Sequence, residues 1–300
     1  MESRPLASRM LVDAKTAPEE SHSLGGKLGD EGILAPLLAD DPAVVRNQIR
    51  VATGLARARD AVLVAVDPAS STGWTRADHR RSDSDADECE LLDWAVETVA
   101  EGTGGLWPGR GNFQGMLEAV VTYDVDTVVV PGEDSVLGSS VSQRIAAHAD
   151  CDVVLVNGRP GLDDLASVLL PIAGGVHSGL ATDVAGAVAT ASDAWVDVLH
   201  VVPPEGTGRR RRKAERYVTA AAERLGTDED RVDTWLLEDE NPATAIVEQS
   251  QYYGLTVLGA PSSNRLERFV FGSTGDEVRS AAESPVVMAK NNRVPSGLDI

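Results

Sequence analysis

Three hundred residues with 42% hydrophobic content can fill one large core or two of ordinary size, and with aromatics at only 4% those cores must be built from Val, Leu, Ile and Ala. A net charge of −20 disfavours nucleic acid and anionic membrane surfaces as partners. No apolar run is long enough to span a bilayer, and the polar N-terminus lacks the core of a signal peptide, so the expectation is a cytoplasmic protein with no direct membrane insertion.

In chain order, residues 1–29 read as a flexible leader. A first strand follows at Gly32 to Leu38, with Pro36 near its end, and a second at Ala61 to Val66, closed by Asp67 and Pro68. Thr75 to Asp87 is polar and patternless and reads as a mobile loop. Gly109-Arg110-Gly111-Asn112-Phe113-Gln114-Gly115 has the glycines of a dinucleotide loop but does not follow the first strand of a βαβ unit, so it reads as a turn into a helix. Further strands are expected at Thr127 to Val130 and Val153 to Val156, then a short linker near Gly158 to Gly161.

The pattern then begins again. Val168 to Ala173, with Pro171, matches the first strand, and Val196 to Val202, before Pro203, matches the second. Leu255 to Leu258 answers Thr127 to Val130, and Val286 to Ala289 answers Val153 to Val156. Helical segments are expected at Ser178 to Ser192, Arg210 to Leu225, Pro242 to Tyr253 and Thr274 to Ala282. Short β-branched runs alternating with helices are the pattern of strands buried on both faces of a parallel sheet. The fold class is α/β: two tandem doubly wound, Rossmann-like domains at 30–158 and 163–291, related by an offset of about 135 residues that is far too long for a solenoid.

Cys89 and Cys151 make no disulfide framework, and no Cys or His pair has zinc-ligand spacing. Ligands of open parallel sheets bind at the carboxyl ends of the strands, where the strand order reverses. In the second half that edge lies after Ile172, Val201 and Leu258. From Gly259 the chain runs through Ser262 to Gly272-Ser273-Thr274, where a helix begins with residues suited to capping or to phosphate.

This stretch resembles the signature of the universal stress protein family, which belongs to a wider adenine-nucleotide α-hydrolase-like group. Gly259, Gly272 and Ser273 fall on matching positions, and Ser262 stands where a middle glycine is expected. Asn241-Pro242 and Pro285 to Met288 match later family elements, and the resemblance reaches the first half through the repeat. It implies ATP or AMP in the second half only, with Gly259, Ser262, Gly272, Ser273 and Thr274 at the phosphates and Val201 near the base. The family's acidic residue at the first strand's end falls on Ala173, beside Ile172, so that contact is missing. In the first half only five residues separate Gly132 from Gly138, and Glu133 and Asp134 among them would repel a triphosphate. The acidic, Lys-poor composition resembles proteins of salt-loving archaea.

Arg209-Arg210-Arg211-Arg212-Lys213 reads as a contact for an anion, nucleic acid or membrane surface, as a solvated helix start, which the acidic context favours, or as a dock for an acidic partner or sister subunit. His177 follows the first strand of the second half and can face the cleft, whereas His200 reads as a satisfied strand residue. No catalytic set and no metal set emerges. The expectation is a non-enzymatic regulatory protein of the stress-response type, a homo-oligomer or a pseudo-symmetric monomer whose halves pack through their last strands. One alternative is a soluble regulatory partner of a membrane transporter, because Pro171-Ile172-Ala173-Gly174-Gly175 resembles stress-protein domains attached to amino-acid permeases. The other is a weak nucleotide hydrolase.

Overall fold

The computed structural model describes residues 31–39, 41–67, 105–108, 113–132, 141–157, 159, 162, 164–204, 208–260 and 272–293. The expected loop at 75–87, Cys89, the Gly109–Asn112 turn, the 133–140 segment and Ser262 lie outside them.

The first half comprises β1 (Gly32–Pro36), α1 (Pro42–Arg59), β2 (Val62–Asp67), β3 (Gly105–Pro108), α2 (Phe113–Thr122), β4 (Thr127–Pro131), α3 (Val141–His148) and β5 (Asp152–Val156). The second half runs β6 (Ser167–Pro171), α4 (Ser178–Ser192), β7 (Trp195–Val202), α5 (Gly208–Arg224), β8 (Val232–Glu238), α6 (Pro242–Ser250), β9 (Leu255–Gly259), α7 (Gly272–Ala281) and β10 (Val286–Lys290). Local chemistry sets the boundaries. Asp41 caps α1 by accepting from the Ala43 amide at 2.8 Å, and Pro42 takes the first helical turn, where no amide partner is needed. Asn241 and Pro242 repeat the device at α6. Both long first helices end on an aspartate in the left-handed region, Asp60 and Asp193, whose amides close onto Ala56 and Ala189.

The described strands form one sheet in the order β3-β2-β1-β4-β5-β10-β9-β6-β7-β8. Each half is parallel and doubly wound in the same order, and the halves join where β5 pairs antiparallel with β10, Val156 opposite Val287 and Val154 opposite Ala289. The last strands therefore do pack together, in one continuous sheet. On one face α1 and α4 lie against each other, so Ile49, Leu55, Val184 and Val188 share a single core across the two halves. On the other face Met116, Val120 and Ile145 meet Ile246, Val278 and Ala282 in a second shared core. Cys151 is buried in that second core, where burial pushes its thiol up to about 12.

The halves also finish each other's helices. Asn157, just after β5, donates to the Arg279 carbonyl near the end of α7 and accepts from the Val286 amide, and Arg159 donates to the Ser280 carbonyl. In return, buried Lys290 donates to the Ala146 carbonyl of α3, and Asn292 donates to the Ala149 carbonyl at 3.0 Å. Arg293 pairs with Asp126, whose carboxylate also accepts from the Gly32 amide. Helix carboxyl ends leave carbonyls without intrahelical partners, and here the other half supplies donors to both.

Candidate functional site

β6 pairs with β9 only at Val168 and Leu169, while β6 and β7 stay paired to Pro171. Beyond Leu169 the β6–β9 pair opens, which makes the carboxyl edge there the switch-point crevice of the second half. Ile172, Ala173, Val201 and Gly259 all reach this edge, and Gly272, Ser273 and Thr274 open α7. Ile172 is buried, Ala173 is exposed and Val201 is half-buried.

The chain fills much of the crevice itself. A Cβ on Gly259 would lie 3.1 Å from the backbone carbon and oxygen of His177, so the close neighbour that this glycine admits is the His177 turn. That turn is tied to the end of β10 by the Asn291 amide, which donates to His177 Nδ1 at 3.1 Å. On the other side Gly174 adopts φ +71°, and a Cβ there would fall 2.1 Å from ring carbons of Tyr217. The Tyr217 ring, carried by α5, lies directly on the backbone leaving β6. His200 sits beneath it, ring centroids 5.7 Å apart, and donates through Nδ1 to the Ile172 carbonyl, while the Lys213 ammonium stands 5.2 Å from the Tyr217 centroid. His200 is thus a satisfied strand residue, and Lys213 brings the basic start of α5 to this edge.

Burial lowers the pKa of both histidines, helped by Lys290 beside His177 and by Lys213 beside His200. Both rings therefore stay neutral in the folded chain at a pH where an unfolded histidine, with its ordinary value of 6.5, takes up a proton. The unfolded state binds more protons as pH falls through that value, so this contribution to stability is complete above it and is lost below it. Denaturant midpoints are expected to fall as the pH drops below 6.5, and a His177→Gln/His200→Gln variant is expected to flatten that slope.

The first-half crevice, between β1 and β4, is closed differently. Gln48 of α1 is fully buried, and its amide donates to the Pro36 carbonyl of β1 and the Val129 carbonyl of β4, each at 2.8 Å. One side chain bridges the two strands where they part. Neighbouring Asn47 donates to the Arg159 carbonyl at 2.7 Å. Counted back from the matched terminal aspartates Asp60 and Asp193, the same position in α4 is held by buried Ala181. Sequence reasoning did not single out Gln48. Its signal is a polar residue on the apolar stripe formed by Val45, Ile49 and Ala52. Among the described residues no group of three or more His, Cys, Asp or Glu side chains is placed to hold a metal ion.

The universal stress protein family model matches residues 166–290. A universal stress protein from Archaeoglobus fulgidus DSM 4304 shares the fold at a TM-score of 0.55 and 14% identity, over 88% of this chain and 98% of that one. The cytoplasmic domain of a prokaryotic cation chloride cotransporter does so at 0.58 and 14%, over 87% of this chain and 96% of that one. No curated protein matches. At such identities the structural likeness establishes the fold, and the family model covers the second half. Residues 166–290 thus belong to the universal stress protein family, and residues 32–156 repeat that fold in the same strand order.

Proposed function

We propose that the protein is a non-catalytic regulatory adaptor on the cytoplasmic side of the cell, working through its surfaces, with a membrane transporter as its partner. The observation that carries this reading is the self-filling of both switch points: Gln48 across β1 and β4, and the His177 turn and Tyr217 against Gly259 and Gly174. Ala173 offers no carboxylate to a ribose. The transporter as partner draws on the cotransporter's cytoplasmic domain, which has this fold along nearly its whole length. With its two halves already paired through β5 and β10, the working unit is a pseudo-symmetric monomer.

A second reading is ATP or AMP held in the second half, and it draws on one observation. α7 begins at Gly272-Ser273-Thr274, and a helix amino end that opens with such residues suits a phosphate. Calorimetric titration of ATP and AMP with Mg²⁺ in molar KCl separates the two. For the wild type no binding tighter than about 1 mM is expected, and no phosphate release. Micromolar binding that disappears in Gly272→Asp would overturn the adaptor reading and install the nucleotide one.

A further inference from the structure

The sheet face opposite α5 is left partly uncovered at its β8 edge. Register places Asp197 between Leu169 and Asp233, Leu199 between Pro171 and Trp235, and Val201 beside Leu237, all on this face. Tyr253, just after α6, reaches over to donate its hydroxyl to Asp197, and burial next to that carboxylate drives the tyrosine's own pKa up. Between them lies a groove of about 230 Å³ lined by Leu169, Asp197, Leu199, Trp235, Leu237 and Tyr253.

Two properties of this groove work against an isolated protein. The first is exposed aromatic surface. Trp235 is 55% exposed and Trp195 50%, in a chain whose Trp, Tyr and Phe total only 5, 4 and 3. Trp195 stands two residues before Asp197 and so on the same face, and large apolar side chains exposed on one face mark a contact surface. The second is charge. Asp197 and Asp233 stand side by side on adjacent strands, an arrangement that costs stability unless a cation answers it. The nearby cations are engaged elsewhere: Arg231 holds Asp193, and Arg211 holds Glu238 and Glu215. Among the described residues no cation pairs with either carboxylate.

We propose that this face seats a basic, apolar segment of a partner protein along β8, with an Arg or Lys between Asp197 and Asp233 and its apolar side chains against Trp235 and Trp195. Charge complementarity selects the occupant: an acidic or neutral segment leaves the paired carboxylates unanswered, and a cation stacked on Trp235 gains from the ring as well. β8 is an edge strand, with β7 as its one described neighbour, so its outer side can take an added strand. This rests on the adaptor reading and gives it a partner chemistry. Cytoplasmic segments flanking membrane helices are rich in Lys and Arg next to apolar residues, which is the composition the groove requires.

The test uses the full chain and a short labelled peptide alternating Arg and Leu, followed by fluorescence anisotropy. Binding in the tens of micromolar is expected, weakened about tenfold or more in Trp235→Ser and again in Asp197→Asn/Asp233→Asn. Trp235 and Asp233 are exposed and Asp197 is half-buried, and an unchanged circular dichroism spectrum reports that each variant is folded. No binding overturns the proposal, as does equal binding by the variants. Equal affinity for a peptide with Ser in place of Leu also overturns it, because attraction to the net charge then suffices. A dimer that forms with rising concentration and is lost in Trp235→Ser, without peptide binding, assigns the face to a second copy instead. Nucleotide binding by calorimetry would sink the adaptor reading while leaving the peptide result to stand or fall alone.

Discussion

Gly186→Ala is expected to lose about 3 kcal/mol of folding stability, although alanine is the better helix former by up to about 1 kcal/mol. Gly186 sits in α4 where α5 ends, and an added Cβ would lie 2.1 Å from the Leu225 carbonyl oxygen and 3.1 Å from its carbon. Both atoms are backbone, so no side chain can swing aside. Relief requires α4 and the end of α5 to separate, and Val218, Ala221 and Leu225 then lose their packing on the sheet. Gly54→Ala in α1 is the matched control. Its Cβ would rest 3.4 Å from the Ala187 carbonyl oxygen, an ordinary contact, and the variant is expected within about 1 kcal/mol of wild type. Urea unfolding of the three proteins decides it. Equal midpoints for Gly186→Ala and wild type would mean that α4 and α5 are not in this contact.

Val287→Asp is expected to be at least as severe, about 4 kcal/mol, with both halves lost in one transition. Val287 is fully buried in β10, flanked by Val156 of β5 and Val257 of β9 at the centre of the sheet. A carboxylate placed there finds no partner among its described neighbours. Because α1 and α4 share one core, damage at the joint reaches both halves together. Far-ultraviolet circular dichroism and tryptophan emission should follow one curve against denaturant. Two separated transitions would show that the halves are independent domains. Val121→Asp, at a side chain 76% exposed, is expected to shift stability by no more than about 0.5 kcal/mol.

The paired prolines Pro36 and Pro171 and the β-branched runs after them made the duplication and the doubly wound fold legible, because strands buried on both faces must be continuously apolar. The segment expected at Ser178 to Ser192 is α4 as observed. The third strand of each half escaped. β8 reads Val-Asp-Thr-Trp-Leu-Leu-Glu, half exposed at a sheet edge, and so lacks the apolar run that betrays a central strand. Residues around the candidate site were legible only as an edge. That Tyr217 would lie on Gly174 depends on how α5 crosses β6 and β7, a relation between residues far apart that no local pattern encodes. Gln48 and Lys290 were invisible for a related reason. A polar residue in a helix or at a strand end reads as solvated until the fold reveals which distant carbonyl it faces.

The exchange of helix caps between the halves has a consequence for how the chain is made. Lys290 and Asn292 reach α3 across 144 and 143 residues of sequence. On the ribosome, β1 to β5 emerge long before β10 exists. Until then β5 presents Val153, Val154, Leu155 and Val156 as an open edge, the kind of strand that recruits other strands. Synthesis at about 5–20 residues per second leaves that edge uncovered for roughly 7 to 26 seconds. A nascent first half is therefore an unfinished sheet that awaits its own second half, and for that interval it is the chain's most aggregation-prone state.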